Sequence, residues 1–258
     1  MIKPNFNRGK IISEFLEILM KDKAVNAVIY TGSYSQGYSD EYSDVDLGVF
    51  LNGKTKINEG KQVYKNIIFD LRFVDINILT SIEWSEDMYN AYVNSKIILD
   101  RSNEIRSLIK RKKIEWENTR LKKLKLGLVN LSVIYYFDDN WAGLKADSHF
   151  FKFIKRKDLI SANRVLNNAF EIALDLAYLI EGRTIPDFKN KFSRLKLLKI
   201  FRSYRSLFAK AYLIKELNER NTIRRYSILD KIVNIFKKNL KEFEKQNLYK
   251  YYLENRLN

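Results

Sequence analysis

The sequence contains no cysteine, and this absence removes several kinds of chemistry at once. Without thiols the protein forms no disulfide, uses no thiolate nucleophile and builds no cysteine-based zinc site. Histidine is almost as scarce, because His149 is the single one in the chain, and this excludes a histidine-rich metal site. Both absences direct the search for a functional site to other residue types.

Long apolar stretches are also missing from the sequence. No segment approaches the roughly 20 apolar residues of a membrane span, and the first ten residues, MIKPNFNRGK, lack the apolar run of a signal peptide. We therefore expect a cytoplasmic protein with no membrane partner. Its 258 residues are 46% hydrophobic, which suffices for the core of one large or two modest domains.

Charge is distributed unevenly along the chain. Residues 1–100 carry 11 Lys and Arg against 14 Asp and Glu, a net charge of −3, and residues 101–258 carry 36 against 17, a net charge of +19. An acidic first part and a strongly basic second part predict two modules with different tasks, of which the second attracts polyanions. The alternative is a lysine-rich composition imposed by an AT-rich genome.

Strand and helix patterns alternate up to about residue 100. Apolar residues at helical spacing predict a helix over 6–21, and a short buried strand follows and stops at Gly32. The next predicted strand covers 44–51. The β-branched and aromatic stretch 66–79 predicts one long strand or a hairpin. Beyond Asp100 long helical patterns take over, so the sequence predicts an α+β fold: a mixed sheet with flanking helices over 1–100, then an all-α helical bundle over 101–258.

Two aspartates separated by a single residue interrupt an otherwise apolar strand. Asp44 and Asp46 point to the same face because side chains alternate along a strand, and such close carboxylates repel each other unless a cation lies between them. Their hard oxygen atoms suit Mg²⁺ rather than zinc. Ahead of them, Gly32 and Ser33 form a turn whose backbone N–H groups can bind phosphate. This pattern predicts a site for nucleoside triphosphate chemistry with Mg²⁺ as its cofactor.

The same residues carry a resemblance to a known family. Gly32-Ser33, followed after ten residues by Asp44-Val45-Asp46, resembles the signature of the DNA polymerase β-like nucleotidyltransferases. The resemblance implies a nucleotidyltransferase catalytic domain over residues 1–100, in which Asp44 and Asp46 are catalytic metal ligands and Gly32 and Ser33 bind the nucleotide. The implied reaction is in-line attack of an acceptor hydroxyl on the α-phosphorus of a nucleoside triphosphate, with release of pyrophosphate.

The family also uses a third carboxylate on a neighbouring strand, for which the sequence offers two candidates. Asp70 and Asp75 are an odd number of residues apart, so an unbroken strand would point them to opposite faces. Asp75, with the apolar residues and TSIEW segment after it, resembles the family's usual third-acid strand and the helix that follows. We therefore expect Asp75 to be catalytic, as a metal ligand or as a base, with Asp70 as the alternative.

Residues 101–258 resemble the C-terminal helical bundle of nucleotidyltransferases that modify antibiotics such as aminoglycosides or lincosamides, which implies a basic substrate-binding domain over these residues. The similarity covers a helix, an apolar run, a proline and a Lys-aromatic segment, and it implies that Lys191 contacts the triphosphate, with Lys189 as the competing candidate. The expected protein transfers AMP from ATP to a hydroxyl of a small antibiotic-class molecule and so confers antibiotic resistance. The alternative is an enzyme that modifies RNA, such as a toxin-like transferase acting on tRNA ends. The sequence leaves the oligomeric state open.

Overall fold

A computed structural model of the chain describes residues 8–131, 149–212 and 216–240. The chain divides into two compact units, Met1–Trp116 and Glu117–Asn258. The division lies within helix α5 (Glu104–Val129), whereas the boundary expected from charge and pattern lies between residues 100 and 101. The roles of the two units as a catalytic domain and a substrate-binding domain stay predictions.

The first unit contains a five-stranded mixed sheet. Its strands are β1 (Val25–Tyr30), β2 (Val45–Leu51), β3 (Gly60–Tyr64), β4 (Ile67–Val74) and β5 (Lys96–Asp100). Their order across the sheet is β3-β4-β2-β1-β5. β2 and β4 are parallel, and the other neighbours are antiparallel. The predicted mixed sheet is confirmed.

Helix α1 (Arg8–Lys21) covers one face of this sheet, and the opposite face carries acidic residues beside buried apolar ones such as Ile29 and Phe50. The apolar side of α1 is buried against the strands, and the ring of Phe15 stacks on that of Phe69 at a centroid distance of 3.8 Å. Along β4 the residues Ile67, Phe69 and Leu71 are buried, so the residues between them face away from this core. The remaining helices of this unit include α2 (Gly32–Gln36), α3 (Ile76–Ser81) and α4 (Glu86–Met88), and π-helical residues Tyr89–Val93 follow α4.

The stretch predicted as one strand or a hairpin is the second strand of a hairpin followed by a helix. Lys65 and Asn66 both have positive φ and form the two-residue turn between β3 and β4. β4 ends at Val74 because the side chain of Asp75 accepts a hydrogen bond from the backbone N–H of Asn77 and caps α3. The strand expected to reach Leu79 therefore ends five residues earlier.

The second unit is helical where the structure describes it. It contains the C-terminal part of α5 with α6 (His149–Lys155), α7 (Leu159–Ile180), α8 (Lys191–Arg194), α9 (Arg205–Tyr212) and α10 (Glu219–Asn239). The apolar side of α7 packs against α6, α9 and α10, and Asn163 donates to Thr222 Oγ1 at 2.8 Å inside that core. The predicted helical bundle is confirmed. No helix within the described ranges is long and apolar enough to cross a membrane.

Candidate active site

A row of charged residues crosses three neighbouring strands on the sheet face opposite α1. Asp46 of β2 lies opposite Asp70 of β4, and Asp70 lies opposite Lys61 of β3. Residues paired across a sheet share a face and lie about 4.5–5.5 Å apart. The structure therefore brings Asp46 and Asp70 together. The sequence signal for Asp70 is the alternation of apolar Phe69 and Leu71 with charged Asp70 and Arg72.

Asp44 lies just before β2, and its charge is balanced by a lysine. Lys61 Nζ donates to Asp44 Oδ2 at 2.9 Å, and the two side chains are 64% and 38% exposed, so water reaches this ion pair. The hydrogen bond from Lys61 lowers the pKa of Asp44 below its usual value. Asp44 is therefore ionised and already held by a cation, although a lysine and not a metal.

Asp46 has the opposite electrostatic environment. Burial raises the pKa of its carboxyl, and repulsion from Asp44 and Asp70 adds to the rise. The positive charges of Arg72 and Lys61 offset part of this effect. A half-buried carboxylate with acidic neighbours and incomplete compensation gains stability when another cation binds. Three carboxylates that face one region fit the hard oxygen ligands that Mg²⁺ takes.

The metal fit depends on a rearrangement of one carboxylate. Within residues 8–131, 149–212 and 216–240, no three acidic, histidine or cysteine side chains form a ready-made metal centre. Asp44 is turned to Lys61 in this arrangement. Asp44, Asp46 and Asp70 are the residues that could hold a divalent cation on this face, with Asp44 exchanging its lysine partner for the cation.

Gly32 lies so close to Asp46 that a larger residue there would push the Asp46 carboxylate out of its place. Its φ of 56° lies in the left-handed region, and a Cβ placed on it would lie 2.1 Å from Asp46 Oδ2. The backbone N–H of Thr31 also donates to the carbonyl of Asp46 at 3.0 Å. α2 begins at Gly32, with Ser33 in its first turn. The glycine-serine turn predicted to bind phosphate thus lies directly against one of the two predicted metal carboxylates.

We expect Gly32→Ala to abolish activity and to destabilise the protein, and Gly37→Ala separates the two causes. Gly37 has φ of 74° but nothing within 4 Å of an added Cβ, so its alanine variant has the backbone strain without the collision. Left-handed alanine costs roughly 1–2 kcal/mol. Thermal denaturation and a transfer assay on both variants should show similar loss of stability but loss of activity in Gly32→Ala alone. Equal activity in the two variants would contradict the close-contact argument.

Arg8 connects α1 to both segments that carry site residues, a role that the sequence does not indicate. Its Nε donates to Tyr34 Oη at 2.5 Å, which holds α2. Its two terminal nitrogens donate to the carbonyls of Glu41 and Ser43, which hold the loop that enters β2. One guanidinium therefore fixes both the helix that follows the Gly32-Ser33 turn and the segment that leads to Asp44.

Asp75 is not near the other acids. It is exposed, and its Oδ1 accepts a hydrogen bond from the N–H of Asn77 at 2.8 Å as the N-cap of α3. Five residues along an extended strand separate it from Asp70, which corresponds to roughly 16 Å. The structure brings Asp70 to the predicted metal carboxylates and does not bring Asp75 there.

Lys191 begins α8 in the second unit, and its ammonium group is paired with carboxylates of α7. Nζ lies 2.6 Å from Asp175 Oδ1 and 3.9 Å from Glu171 Oε2, and the side chain is only 15% exposed. Burial raises the pKa of Asp175 although Lys191 opposes the rise. A contact between Lys191 and a triphosphate stays a prediction. The competing candidate, Lys189, is exposed.

Comparison with known proteins supports the reading of the first unit. Residues 13–104 match the model of the family described as Polymerase beta, Nucleotidyltransferase. These residues form a nucleotidyltransferase domain and include every acid on the site face, so the general activity of the chain is nucleotidyl transfer. The expected resemblance to the polymerase β-like superfamily is confirmed for this domain, whereas the likeness to antibiotic-modifying members stays a prediction.

The other two comparisons reach less far. A comparison with curated proteins found no significant match. Among solved structures, a nucleotidyltransferase-like protein from Exiguobacterium sibiricum 255-15 is similar to this chain, with 14% identity and a TM-score of 0.41. That match covers 89% of this chain and 75% of the other one.

Proposed function

We propose that the protein transfers AMP from ATP to a hydroxyl group of a small antibiotic-class molecule, with Mg²⁺ as cofactor and pyrophosphate as the second product. The observation that supports the reaction best is the acidic face, where Asp46 lies opposite Asp70 and against Gly32. Asp44 completes the group from the start of β2. Paired carboxylates plus substrate phosphates are the usual way in which proteins hold Mg²⁺.

Each site residue has a defined task in this proposal. Asp44 and Asp46 would hold the divalent cation, which when bound would neutralise charge on the triphosphate. Asp70 takes the place expected for Asp75 as the third carboxylate, because it is the acid on the neighbouring strand at the right register. It accepts the proton of the acceptor hydroxyl or serves as a further metal ligand. The N–H groups that begin α2, next to Gly32 and Ser33, bind phosphate.

Lys191 has a conditional place in the proposal. Its ammonium is bound to Asp175, so a contact with the triphosphate requires it to leave that carboxylate. Lys123 adds a second positive charge near Asp175. The desolvation of Lys123 lowers its own pKa. The proposed triphosphate contact of Lys191 therefore rests on the resemblance of its segment to antibiotic nucleotidyltransferases, and Lys123 is the other lysine near Asp175.

The identity of the acceptor is the least constrained part of the proposal, and the net charge of the chain favours some acceptors over others. A net charge of +19 over residues 101–258 opposes a polycationic aminoglycoside and opposes a lincosamide, with one amine, much less. The same charge favours the second candidate, an RNA acceptor such as a tRNA end. Helix α5 contributes to it with nine Lys and Arg against three Glu in EIRSLIKRKKIEWENTRLKKLKLGLV.

Turnover measured across a salt series will distinguish the two acceptors. The protein is incubated with α-labelled ATP, Mg²⁺ and either a drug panel or total tRNA, and the labelled acceptor is counted. An RNA acceptor that neutralises six to ten phosphates should lose about 10³–10⁵-fold in affinity between 50 and 200 mM salt. A drug acceptor with one amine should show a shallow dependence, because few charges are involved.

The expected result is a labelled drug whose formation changes little with salt. If tRNA is labelled, its labelling falls steeply as salt rises and no drug product forms, the antibiotic acceptor is excluded. Nucleotidyl transfer itself would still stand. Binding of tRNA without turnover decides nothing, since a protein this basic attracts RNA nonspecifically.

A further inference from the structure

Lys61 is the cation that the acidic face already contains. Its ammonium donates to Asp44 at 2.9 Å, and its strand position is directly opposite Asp70. The family signature does not include this residue. Lys61 follows Asp44 by 17 residues and lies on an edge strand, so only the strand order shows that the two side chains are close.

The backbone at Lys61 is fixed although the side chain is free to move. β3 is paired with β4 along its length, with Lys61 opposite Asp70. Just before β3, Glu59 Oε1 accepts a hydrogen bond from the N–H of Phe73 at 2.9 Å. The Lys61 side chain itself is 64% exposed, and among residues 8–131, 149–212 and 216–240 its ammonium is paired only with Asp44. The ammonium can therefore leave Asp44 by rotation of its own side chain.

We propose that Lys61 is an exchangeable counter-ion: its ammonium holds Asp44 in the metal-free protein and is displaced when a divalent cation binds. This inference rests on the metal site of the proposed function. Water-exposed ion pairs contribute little stability, so displacement of Lys61 costs little. The ammonium of Lys61 keeps the Asp44 carboxylate ionised and in place before the metal binds. As a consequence, Lys61 and the metal compete for the same carboxylate. Lys61 acts through Asp44 and is a positioning residue.

Direct metal binding tests this inference without any nucleotide. Mn²⁺, a spectroscopic substitute for Mg²⁺, is titrated into the full-length protein and the free ion is measured by electron paramagnetic resonance. Lys61→Met should bind Mn²⁺ about fivefold more tightly than the unsubstituted protein, which corresponds to the loss of one exposed competing ion pair. Lys61→Arg, which keeps the charge, should bind like the unsubstituted protein.

Lys65→Met is the matched control, because Lys65 lies on the same hairpin and its ion pair with Glu14 is also exposed. It should leave Mn²⁺ affinity unchanged. In the unsubstituted protein, the ammonium resonance of Lys61 should shift on addition of Mg²⁺ while that of Lys65 stays in place.

The outcomes separate this inference from the function on which it rests. Unchanged or weaker Mn²⁺ binding by Lys61→Met, or equal tightening by Lys65→Met, overturns the exchange and leaves the metal site intact. A Lys61 resonance unaffected by Mg²⁺ at saturating concentration overturns it as well. Failure of the unsubstituted protein to bind Mn²⁺ overturns both the exchange and the proposed metal site.

Discussion

Asp46→Asn should reduce nucleotidyl transfer by at least about 10²–10³-fold, because the reaction depends on preorganised charge at this position. The same substitution should raise the melting temperature of the metal-free protein at neutral pH. Folding forces Asp46 into a half-buried place beside Asp44 and Asp70, and these surroundings raise its pKa. An amide of the same shape avoids the repulsion. Chelator-treated samples in a thermal scan, with the transfer assay beside it, test both effects.

The sign of the pH dependence follows from the raised pKa. A carboxyl that binds its proton more tightly in the folded state favours folding at pH below its unfolded value, and that contribution is lost as pH rises through the folded value. The stabilisation by Asp46→Asn should therefore be largest at neutral pH and disappear below about pH 4, where the carboxyl is protonated in both states.

Asp44→Asn provides the control for this stability effect. Its carboxyl is held by Lys61, which lowers its pKa, so the substitution removes a favourable ion pair and should not raise the melting temperature. Activity should still be lost. A melting temperature that rises equally in both variants would mean that the two aspartates do not differ in environment as the structure indicates. Full activity in Asp46→Asn would remove Asp46 from the catalytic group.

Asp70→Asn should likewise reduce transfer by about 10²–10³-fold, whereas Asp75→Asn should leave activity and stability nearly unchanged. Asp70 lies opposite Asp46 on the acidic face. Asp75 accepts a hydrogen bond at the N-terminus of α3, and asparagine caps a helix as well as aspartate does. Steady-state transfer rates of the two variants under saturating Mg²⁺ and ATP provide the measurement.

Asp75→Ala completes the comparison, because it removes the cap and should cost about 1 kcal/mol of stability without loss of chemistry. The opposite ranking, with Asp75→Asn inactive and Asp70→Asn active, would show that a carboxylate outside the acidic face performs the role assigned to Asp70. The choice made from sequence would then be the right one.

The sequence alone predicts the acidic strand well, for a physical reason. The alternation around Asp44 and Asp46 and the turn at Gly32 are local features, and local chemistry determines them. The choice between Asp70 and Asp75 depends instead on where β4 ends and how it pairs with β2. The stretch 66–79 is rich in β-branched and aromatic residues on both sides of residue 75, so composition does not reveal that Asp75 caps a helix.

Long-range contacts account for the rest of what the sequence does not show. Lys61 reaches Asp44 only because the strand order β3-β4-β2 leaves a single strand, β4, between β3 and β2. Arg8 reaches the carbonyl of Glu41 across 33 residues. Neither lysine nor arginine is rare in this chain, so no residue type or spacing distinguishes these two. Their roles follow from tertiary packing.

If the acidic face catalyses transfer of a nucleoside monophosphate, the α-phosphate of ATP and not the γ-phosphate must reach the acceptor. The position of a radioactive label distinguishes these two reactions. Parallel reactions contain α-labelled or γ-labelled ATP, Mg²⁺, and a mixture of candidate drugs and tRNA, with the unsubstituted protein or Asp46→Asn. We expect the α-label on an acceptor and the γ-label in pyrophosphate, with neither product formed by Asp46→Asn. Transfer of the γ-label to the acceptor, or equal products from both proteins, would contradict the account.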